Sequence, residues 1–155
     1  MSRPQYLTSK EDALAILEKG EYGVLCTASS DGQPYGVPLN YCYDKDKGCV
    51  YFHCAKDGVK LSVLSQNQKV SFVVVTRADL VPEKLDTSYE SVIVTGTAAL
   101  IQDDDEVLHA LVLLCERLSP ALADKVKNMN CMARVNIVRL TVDEITGKRK
   151  EVSPV

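Results

Sequence analysis

The sequence predicts a mainly β protein, a small closed or partly closed antiparallel barrel with peripheral helices. Three observations carry this prediction: six segments have strand-like composition, most connections between them are short and polar, and strands do not alternate with helices. Short turns require antiparallel neighbours, because a parallel pair needs a crossover of about a dozen residues or more. A doubly wound α/β sheet is therefore disfavoured.

The size and composition of the chain are those of one ordinary globular domain. With 155 residues, of which 46% are hydrophobic and 25% charged, the sequence predicts a single domain over 1–155 and excludes a disordered chain. The net charge of −3 gives no basic field, so no nucleic-acid partner is expected. No apolar run approaches the roughly 20 residues of a membrane span, and no export signal is evident. We therefore expect no membrane partner and a cytoplasmic location.

The first elements are a helix and three strands. The helix is predicted over 9–19, because Ser9 and Asp12 have the spacing of a capping box and Gly20 ends the pattern. Apolar and β-branched residues bounded by polar turns then predict an antiparallel meander. Its three strands are predicted over 23–28, 34–43 and 49–54.

The middle of the chain adds a short helix and two strands. Apolar residues at helical spacing predict a helix over 58–66. The strand predicted over 70–76 is almost wholly apolar, so we expect both of its faces to be covered. After a polar stretch over 77–87, another strand is predicted over 89–101, where Gly96 marks a bulge, a bend or a close approach of two backbones.

An amphipathic helix and a last strand complete the chain. The acidic residues 103–106 start the strongest helix and the Ser-Pro pair at 119–120 stops it, within a helical insertion over 103–127. In the last strand, predicted over 133–142, the apolar side chains change parity, which suggests a bulge. The barrel therefore occupies 23–101 and this last strand.

The cysteines are predicted to be reduced, buried thiols. Four of the six lie in apolar or strand-like segments, and a protein without an export signal is not expected to form disulfides. No two are spaced C-x-x-C, so neither a zinc ribbon nor a c-type haem attachment is indicated, and no metal site is expected. The six are Cys26, Cys42, Cys49, Cys54, Cys115 and Cys131.

The most informative segment for chemistry is 51–61. A strand there ends in small residues, the chain turns at Gly58, and a helix starts with Lys56 and Lys60 nearby. Free backbone N–H groups at a helix start and ammonium side chains both attract anions, so this segment is a candidate phosphate site. Spacing alone leaves a second interpretation open, in which the lysines and the glycine serve only solubility and chain reversal.

Several segments, taken together and in order, resemble a known family. The chain resembles the flavin-binding split-barrel proteins related to pyridoxamine 5'-phosphate oxidase, most closely the nitroimidazole-resistance (Nim-type) branch. The resemblance runs from about Glu21 to Lys148 and so covers most of the chain. The matching segments are 21–25, 31–41, 51–55 with Gly58 and Lys60, 89–96 and 145–148.

This resemblance implies a six-stranded antiparallel split β-barrel and a homodimer with one FMN per subunit at the subunit interface. One group of residues would line the isoalloxazine ring: Val37, Pro38, Leu39 and Asn40. A second group would run from the ring to the phosphate: His53, Cys54, Ala55, Gly58 and Lys60, with Lys56 as an added cation. A third would approach from the facing strand or the partner subunit: Ser88, Tyr89 and Ser91. Many members carry a basic or hydroxyl residue where this chain has Val59, so a less charged phosphate site is expected.

The function implied by the resemblance is that of an FMN-dependent oxidoreductase acting on a small redox-active compound. The acceptor would be a nitroaromatic or a quinone, and the electron donor NAD(P)H or another compound. Because the flavin supplies the electron chemistry, the protein needs only to position it and keep one face open. Two alternatives remain: a non-catalytic carrier or sensor that holds flavin or haem, and a catalytically silent barrel that serves interactions alone.

His53 is the one candidate catalytic residue. An imidazole beside a cofactor groove can donate a proton to substrate, shuttle a proton or ligate a haem iron. The alternative is a hydrogen-bonded structural histidine at a strand end. The second histidine, His109, lies in the acidic helix and is expected at the surface or in packing.

Overall fold

The computed structural model describes residues 4–126 and 135–153. Within these ranges the strands are β1 (Tyr22–Ala28), β2 (Pro34–Asn40), β3 (Cys42–Asp44), β4 (Cys49–Cys54), β5 (Lys69–Val81), β6 (Asp86–Leu100) and β7 (Asn136–Lys150). The helices are α1 (Lys10–Lys19), α2 (Val59–Gln66), α3 (Asp104–Leu118) and α4 (Pro120–Val126), and short 3-10 turns lie at Pro4–Tyr6 and Pro82–Lys84. The predicted cap of α1 is present, since the Ser9 hydroxyl accepts from the Asp12 N–H at 3.1 Å.

The strands form one antiparallel sheet that curls into a split barrel. Their order is β2-β1-β5-β6-β7-β4-β3, so β2 and β3 lie at opposite edges although only Tyr41 separates them in sequence. Two Cα atoms that flank a single residue lie at most about 7 Å apart, because consecutive Cα atoms are about 3.8 Å apart. The two edges must therefore meet, which curves the sheet. The predicted mainly β barrel with peripheral helices is confirmed.

The described residues contain seven strands, whereas six were expected. The difference arises at Tyr41, where the strand predicted over 34–43 changes partner: Asn40 pairs with β1 and Cys42 pairs with β4. The Tyr41 side chain is 1% exposed, and its hydroxyl donates to the Leu17 carbonyl of α1. A buried aromatic corner thus divides one predicted strand into β2 and β3.

Two hydrophobic cores explain the apolar pattern of β7. Val138 and Leu140 belong to the core inside the barrel, whereas Ile137 belongs to a second core beneath α3. The strand is therefore covered on both faces, and the pairing of β4 with β7 runs without a register shift. The bulge inferred from the parity change is wrong for this part of the strand. Ala133 and Arg134, where the strand was predicted to start, lie outside the described residues.

A bulge is present one step further along, where β7 passes Gly96 of β6. The register shifts there, and Asp143 is the extra residue. A Cβ atom on Gly96 would lie 1.9 Å from the carbonyl oxygen of Thr141. The close approach predicted from a glycine inside a strand is confirmed.

The hairpin of β5 and β6 is longer than predicted. The polar stretch 77–87 was expected to be irregular, but β5 continues to Val81 and β6 starts at Asp86. The register between β5 and β6 shifts at Thr76, and the two strands then remain paired beyond Val74, the last residue of β5 that pairs with β1. Both faces of β5 were expected to be covered, but Val75 is 54% exposed, so one face is open in the single chain.

The cysteine prediction is borne out only in part. Of the five cysteines in the described ranges, Cys42, Cys49 and Cys54 are buried, whereas Cys26 and Cys115 are partly exposed. The prediction for Cys131 falls outside the described residues. Within 4–126 and 135–153, no helix has both the length and the hydropathy needed to cross a membrane.

Candidate functional site

Residues 53–60, from the end of β4 to the first turn of α2, are called here the 53–60 loop. His53 is exposed at the end of β4, while the next side chain, Cys54, is 8% exposed and packs into the barrel core. The loop is tied to the start of β7, because the Asn136 side-chain amide donates to the carbonyl oxygen of Lys56 at 3.1 Å. The loop therefore has a fixed attachment next to its two lysines.

The 53–60 loop combines several features that suit an anion. Gly58 adopts a φ of 132° and starts α2 without any side-chain cap, so the first backbone N–H groups of the helix have no side-chain acceptor. Lys56 is exposed and Lys60 is partly exposed, and neither forms an ion pair with another described residue. The charge of Lys60 lowers the pKa of the Cys54 thiol, but burial has the larger effect and raises that pKa above its ordinary value. Cys54 thus stays a neutral thiol beside a free cation.

The β2 residues predicted to line a flavin ring divide into two sets. Val37 and Leu39 pack against the barrel core, and Leu39 is 9% exposed. Pro38 is exposed and Asn40 partly exposed on the opposite face, where the Asn40 amide donates to the Glu21 carbonyl at 2.9 Å. Since β2 has a strand partner on one side only within the described residues, its backbone on the other side is available to a polar ring edge.

The three β6 residues lie at the far end of the chain's own sheet. Ser91 pairs with Lys148 of β7, whereas His53 of β4 pairs with Ile137, eleven residue steps away along the same strand. At about 3.3 Å per residue this is roughly 36 Å along the strand. Within the sheet of a single chain, Ser91 and the 53–60 loop therefore lie beside opposite ends of β7.

The environments of Ser88 and Tyr89 also differ from each other. Ser88 is 2% exposed and points inward, where its hydroxyl accepts from the Val152 N–H at 2.9 Å. The Tyr89 ring lies on the other face and meets the edge of Tyr6, with ring centroids 6.4 Å apart. Of the three predicted residues, Tyr89 and Ser91 are therefore the two that face outward.

That outward side of the sheet, called here the outer face, is apolar across several strands. Val24, Val73 and Ile93 are cross-strand partners in one row over β1, β5 and β6. Val24 is 38% exposed and Ile93 39%, while Tyr22, next to them on β1, is 56% exposed. A contiguous apolar surface of this kind marks an interaction site in soluble proteins.

Two cavities among the described residues lie away from the predicted cofactor residues. One, of about 590 Å³, lies between α1 and β3 and is lined by Leu14, Ala15 and Tyr43 with flanking charged residues. Another, about 350 Å³, lies on the outer face beside Leu7 and Ile93. Neither is lined by the 53–60 loop.

Sequence reasoning missed a buried charged group between Tyr89 and Ser91. Glu90 is 9% exposed and accepts hydrogen bonds from Thr76 at 2.6 Å, Lys19 at 3.0 Å and Arg149 at 2.9 Å. These donors, Thr76 foremost, lower the pKa of Glu90 to about 2. A charge at an inward position of an alternating strand is the signal that would have identified it. By fixing this side chain inward, the network keeps the neighbouring residues outward.

His109 lies in a pair apart from the 53–60 loop. Its Nε2 is 2.7 Å from Oδ2 of Asp44, a side chain 4% exposed that also accepts from two backbone N–H groups of the β3–β4 turn. His109 itself is exposed and also meets the ring of Tyr51, in agreement with the expectation that it lies at the surface or in packing. Within the described ranges, no group of three or more His, Cys, Asp or Glu side chains is arranged to hold a metal ion.

Comparison with solved structures shows the same fold in several proteins. The FAD- and haem-binding protein of Mycobacterium smegmatis aligns with a TM-score of 0.80 at 20% identity, over 96% of this chain and 74% of that chain. A candidate 5-nitroimidazole antibiotic resistance protein of Bacteroides thetaiotaomicron aligns with a TM-score of 0.73 at 24% identity, over 92% and 85%. A FAD-binding protein of Mesorhizobium loti aligns with a TM-score of 0.70 at 23% identity, over 94% and 97%.

At these identities the likeness to the solved structures shows the fold alone. None of the curated proteins compared with this sequence matches it. The model of the pyridoxamine 5'-phosphate oxidase family, however, matches residues 9–149, which is most of the chain. The chain therefore belongs to the pyridoxamine 5'-phosphate oxidase family.

Proposed function

We propose that this protein is an FMN-dependent oxidoreductase of the nitroimidazole-resistance type, which reduces a small nitroaromatic or quinone-like compound. The observation that carries the proposal is the 53–60 loop, where two unpaired lysines flank an uncapped helix start at the end of a barrel strand. The solved relatives add weight, since one is described as binding FAD and haem and another as an antibiotic resistance protein.

The residues of the loop fit the phosphate of FMN. Lys60 would bind it together with the first backbone N–H groups of α2. Lys56 would add a second cation, in place of the basic or hydroxyl residue that many family members carry at the position of Val59. Hydrogen bonds to a charged group contribute about 1.5–3 kcal/mol each, so three or four would hold a mononucleotide whose ring is also buried. FMN, when bound, supplies the electron transfer, and the chain's own residues bind and orient it.

The proposal includes a homodimer with the flavin between the two subunits. The outer face exposes Val24, Ile93 and Val75, and burying such side chains against a second copy is favourable. The residues predicted on β6 lie far along the sheet from the 53–60 loop of their own chain. A second copy can bring its own Tyr89 and Ser91 to the first copy's 53–60 loop.

His53 is the residue we assign to proton delivery. Reducing a nitro group or a quinone consumes protons as well as electrons, and an imidazole is a side chain that can donate one near neutral pH. His53 is exposed at the start of the 53–60 loop and forms no hydrogen bond to another described residue, so no contact there assigns it a structural role. The same free imidazole favours the second candidate function, a non-catalytic flavin or haem carrier in which His53 ligates iron.

The absorption spectrum of the freshly purified protein separates these functions. We expect a yellow protein whose visible bands bleach under reductant, or a colourless one that becomes yellow with added FMN. Consumption of NADPH or NADH with a nitroaromatic or quinone acceptor then distinguishes an enzyme from a carrier. A red-brown protein with a haem spectrum would support the second candidate, and a protein that takes up neither group would refute both.

Replacing His53 tests its role directly. We expect His53→Ala to lower turnover by roughly 100-fold or more, the usual contribution of a positioned proton donor, with flavin content unchanged. His109→Ala is the matched control, because that histidine pairs with Asp44 away from the loop. Unchanged turnover in His53→Ala would remove this residue from the reaction.

A further inference from the structure

Residues 55–58, in the middle of the 53–60 loop, connect two elements that are firmly anchored. At one end, Cys54 is the last residue of β4 and packs into the barrel core. At the other end, α2 buries Leu64 in the same core. The four residues between them are all exposed and belong to no helix or strand. Their position therefore depends on contacts other than apolar packing.

The far end of α2 is attached to the turn between β1 and β2. The Asn67 side-chain amide donates to the Ala28 carbonyl at 3.0 Å, and the Gln66 side-chain oxygen accepts from the Ser30 hydroxyl at 3.1 Å. Together with its buried face, these bonds fix the helix from the end away from the loop. The position of α2 therefore does not depend on the contacts of residues 55–58.

One side chain holds residues 55–58 themselves. Asn136, the first residue of β7, pairs with Cys54 of β4. Its side-chain amide reaches past this pair and donates to the Lys56 carbonyl at 3.1 Å, with the Ala55 carbonyl 3.5 Å away. In the part of the chain that the structure describes, no other side chain forms a hydrogen bond or an ion pair with these four residues. We call this contact the Asn136 tether.

The tether orients a backbone donor of the loop. The Lys56 carbonyl and the Asp57 N–H belong to one planar trans peptide, in which the two groups point in opposite directions. Because the tether holds the carbonyl toward Asn136, it points the Asp57 N–H away from β7. This N–H has no acceptor among the described residues. It therefore joins the uncapped N–H groups of α2 as a donor that is free to bind an anion.

We propose that Asn136 is a positioning residue of the phosphate site, which keeps the Asp57 N–H and the backbone of Lys56 in place for the phosphate of FMN. This inference rests on the proposed function. It adds that a residue which does not touch the cofactor sets part of the preference for FMN over riboflavin. The physical reason is that a segment already held in place loses less conformational entropy when the phosphate binds.

Titrations with FMN and riboflavin test the tether. Asn136→Ala removes the donor at a partly exposed position, so the variant should fold with a Tm close to that of wild type. We expect its dissociation constant for FMN to rise roughly threefold to tenfold, the effect of one hydrogen bond, while that for riboflavin stays the same. Asn136→Gln keeps an amide donor and should restore most of the preference. Asn67→Ala is the matched control, because it removes an amide donor from the other end of α2 and should leave the preference unchanged.

Cleavage by a lysine-specific protease follows the tether without any flavin. Lys56 is exposed, and cleavage after it requires residues 55–58 to leave their place. Asn136→Ala should therefore be cut after Lys56 roughly threefold to tenfold faster than wild type. Millimolar inorganic phosphate should slow this cleavage in wild type and have less effect in the variant.

The outcomes separate the tether from the proposed function. A wild-type protein that binds no flavin, but whose loop is protected by phosphate only when Asn136 is present, would support the tether and overturn the proposed function. An Asn136→Ala variant that keeps the wild-type preference for FMN would overturn the tether and leave the proposed function intact. Equal losses of affinity for FMN and riboflavin, or the same loss of preference in Asn67→Ala, would mean that Asn136 acts through the general fold, which would also overturn it.

Discussion

Replacing Lys60 with alanine should weaken FMN binding through the phosphate group alone. Lys60 is partly exposed next to the uncapped start of α2, and no described residue forms an ion pair with it. A hydrogen bond from a charged donor contributes about 1.5–3 kcal/mol, which corresponds to a dissociation constant about 10 to 150 times higher. Because solvent screens a partly exposed cation, we expect a value near the lower end, about tenfold.

Comparing FMN with riboflavin isolates this contribution. Riboflavin has the same ring but no phosphate, so Lys60→Ala should leave its affinity unchanged, and the difference between the two ligands should shrink in the variant. Quenching of flavin fluorescence on titration measures both constants. Lys125→Ala, an exposed lysine of α4, is the matched control.

Two results would refute the assignment of Lys60. An equal loss of affinity for FMN and riboflavin would mean that the residue acts through the fold of the loop. If neither affinity fell, the phosphate would bind elsewhere in the loop. Lys56→Ala would then be the variant expected to lower the affinity for FMN and leave that for riboflavin unchanged.

Two further predictions concern the barrel that positions the site. Gly96→Ala should lower Tm sharply, because the added Cβ would lie 1.9 Å from the Thr141 carbonyl oxygen. Gly36→Ala is the control and should change Tm little, because its Cβ would lie 3.4 Å from the nearest atom. Equal melting temperatures of the two variants would contradict the close approach at Gly96. Glu90 has a pKa lowered from 4.5 to about 2, so it should stabilise the fold by roughly 3 kcal/mol above pH 4.5, a contribution lost as the pH falls toward 2. Glu90→Gln should remove this part of the pH dependence in chemical denaturation, and an unchanged profile would refute the role of the network.

The sequence predicted the elements whose signals are local. The cap at Ser9, the helix that starts after the acidic residue Asp103 and the close approach at Gly96 all follow from residue types at short spacing, and the structure confirms them. The predicted number of strands is wrong because the strand predicted over 34–43 changes its pairing partner at Tyr41. That change depends on the Tyr41 hydroxyl, which donates to the Leu17 carbonyl of the distant helix α1. No local pattern reports such a contact.

The prediction for residues 77–87 was wrong for a related reason. Polar and charged residues such as Arg77 and Asp79 predict an irregular connection, but in the β5–β6 hairpin they lie on the inner face, where Arg77 pairs with Asp79 and with Glu151 of the C-terminal segment. The same limit applies to the candidate site. Sequence could bring together the neighbours within the 53–60 loop, whereas the inward direction of Leu39 and the distance from Ser91 to the loop follow from sheet register.

Mixing two defective variants tests most directly whether the flavin site is built from two chains. Lys60→Ala impairs the loop half of the site and Tyr89→Ala impairs the half brought by the other subunit, so each variant alone should bind FMN weakly. Exchange of subunits between them should create mixed dimers with one intact site, restoring tight binding at roughly a quarter of all sites. No recovery on mixing would mean that both residues act within one chain, which would contradict a site shared between two subunits.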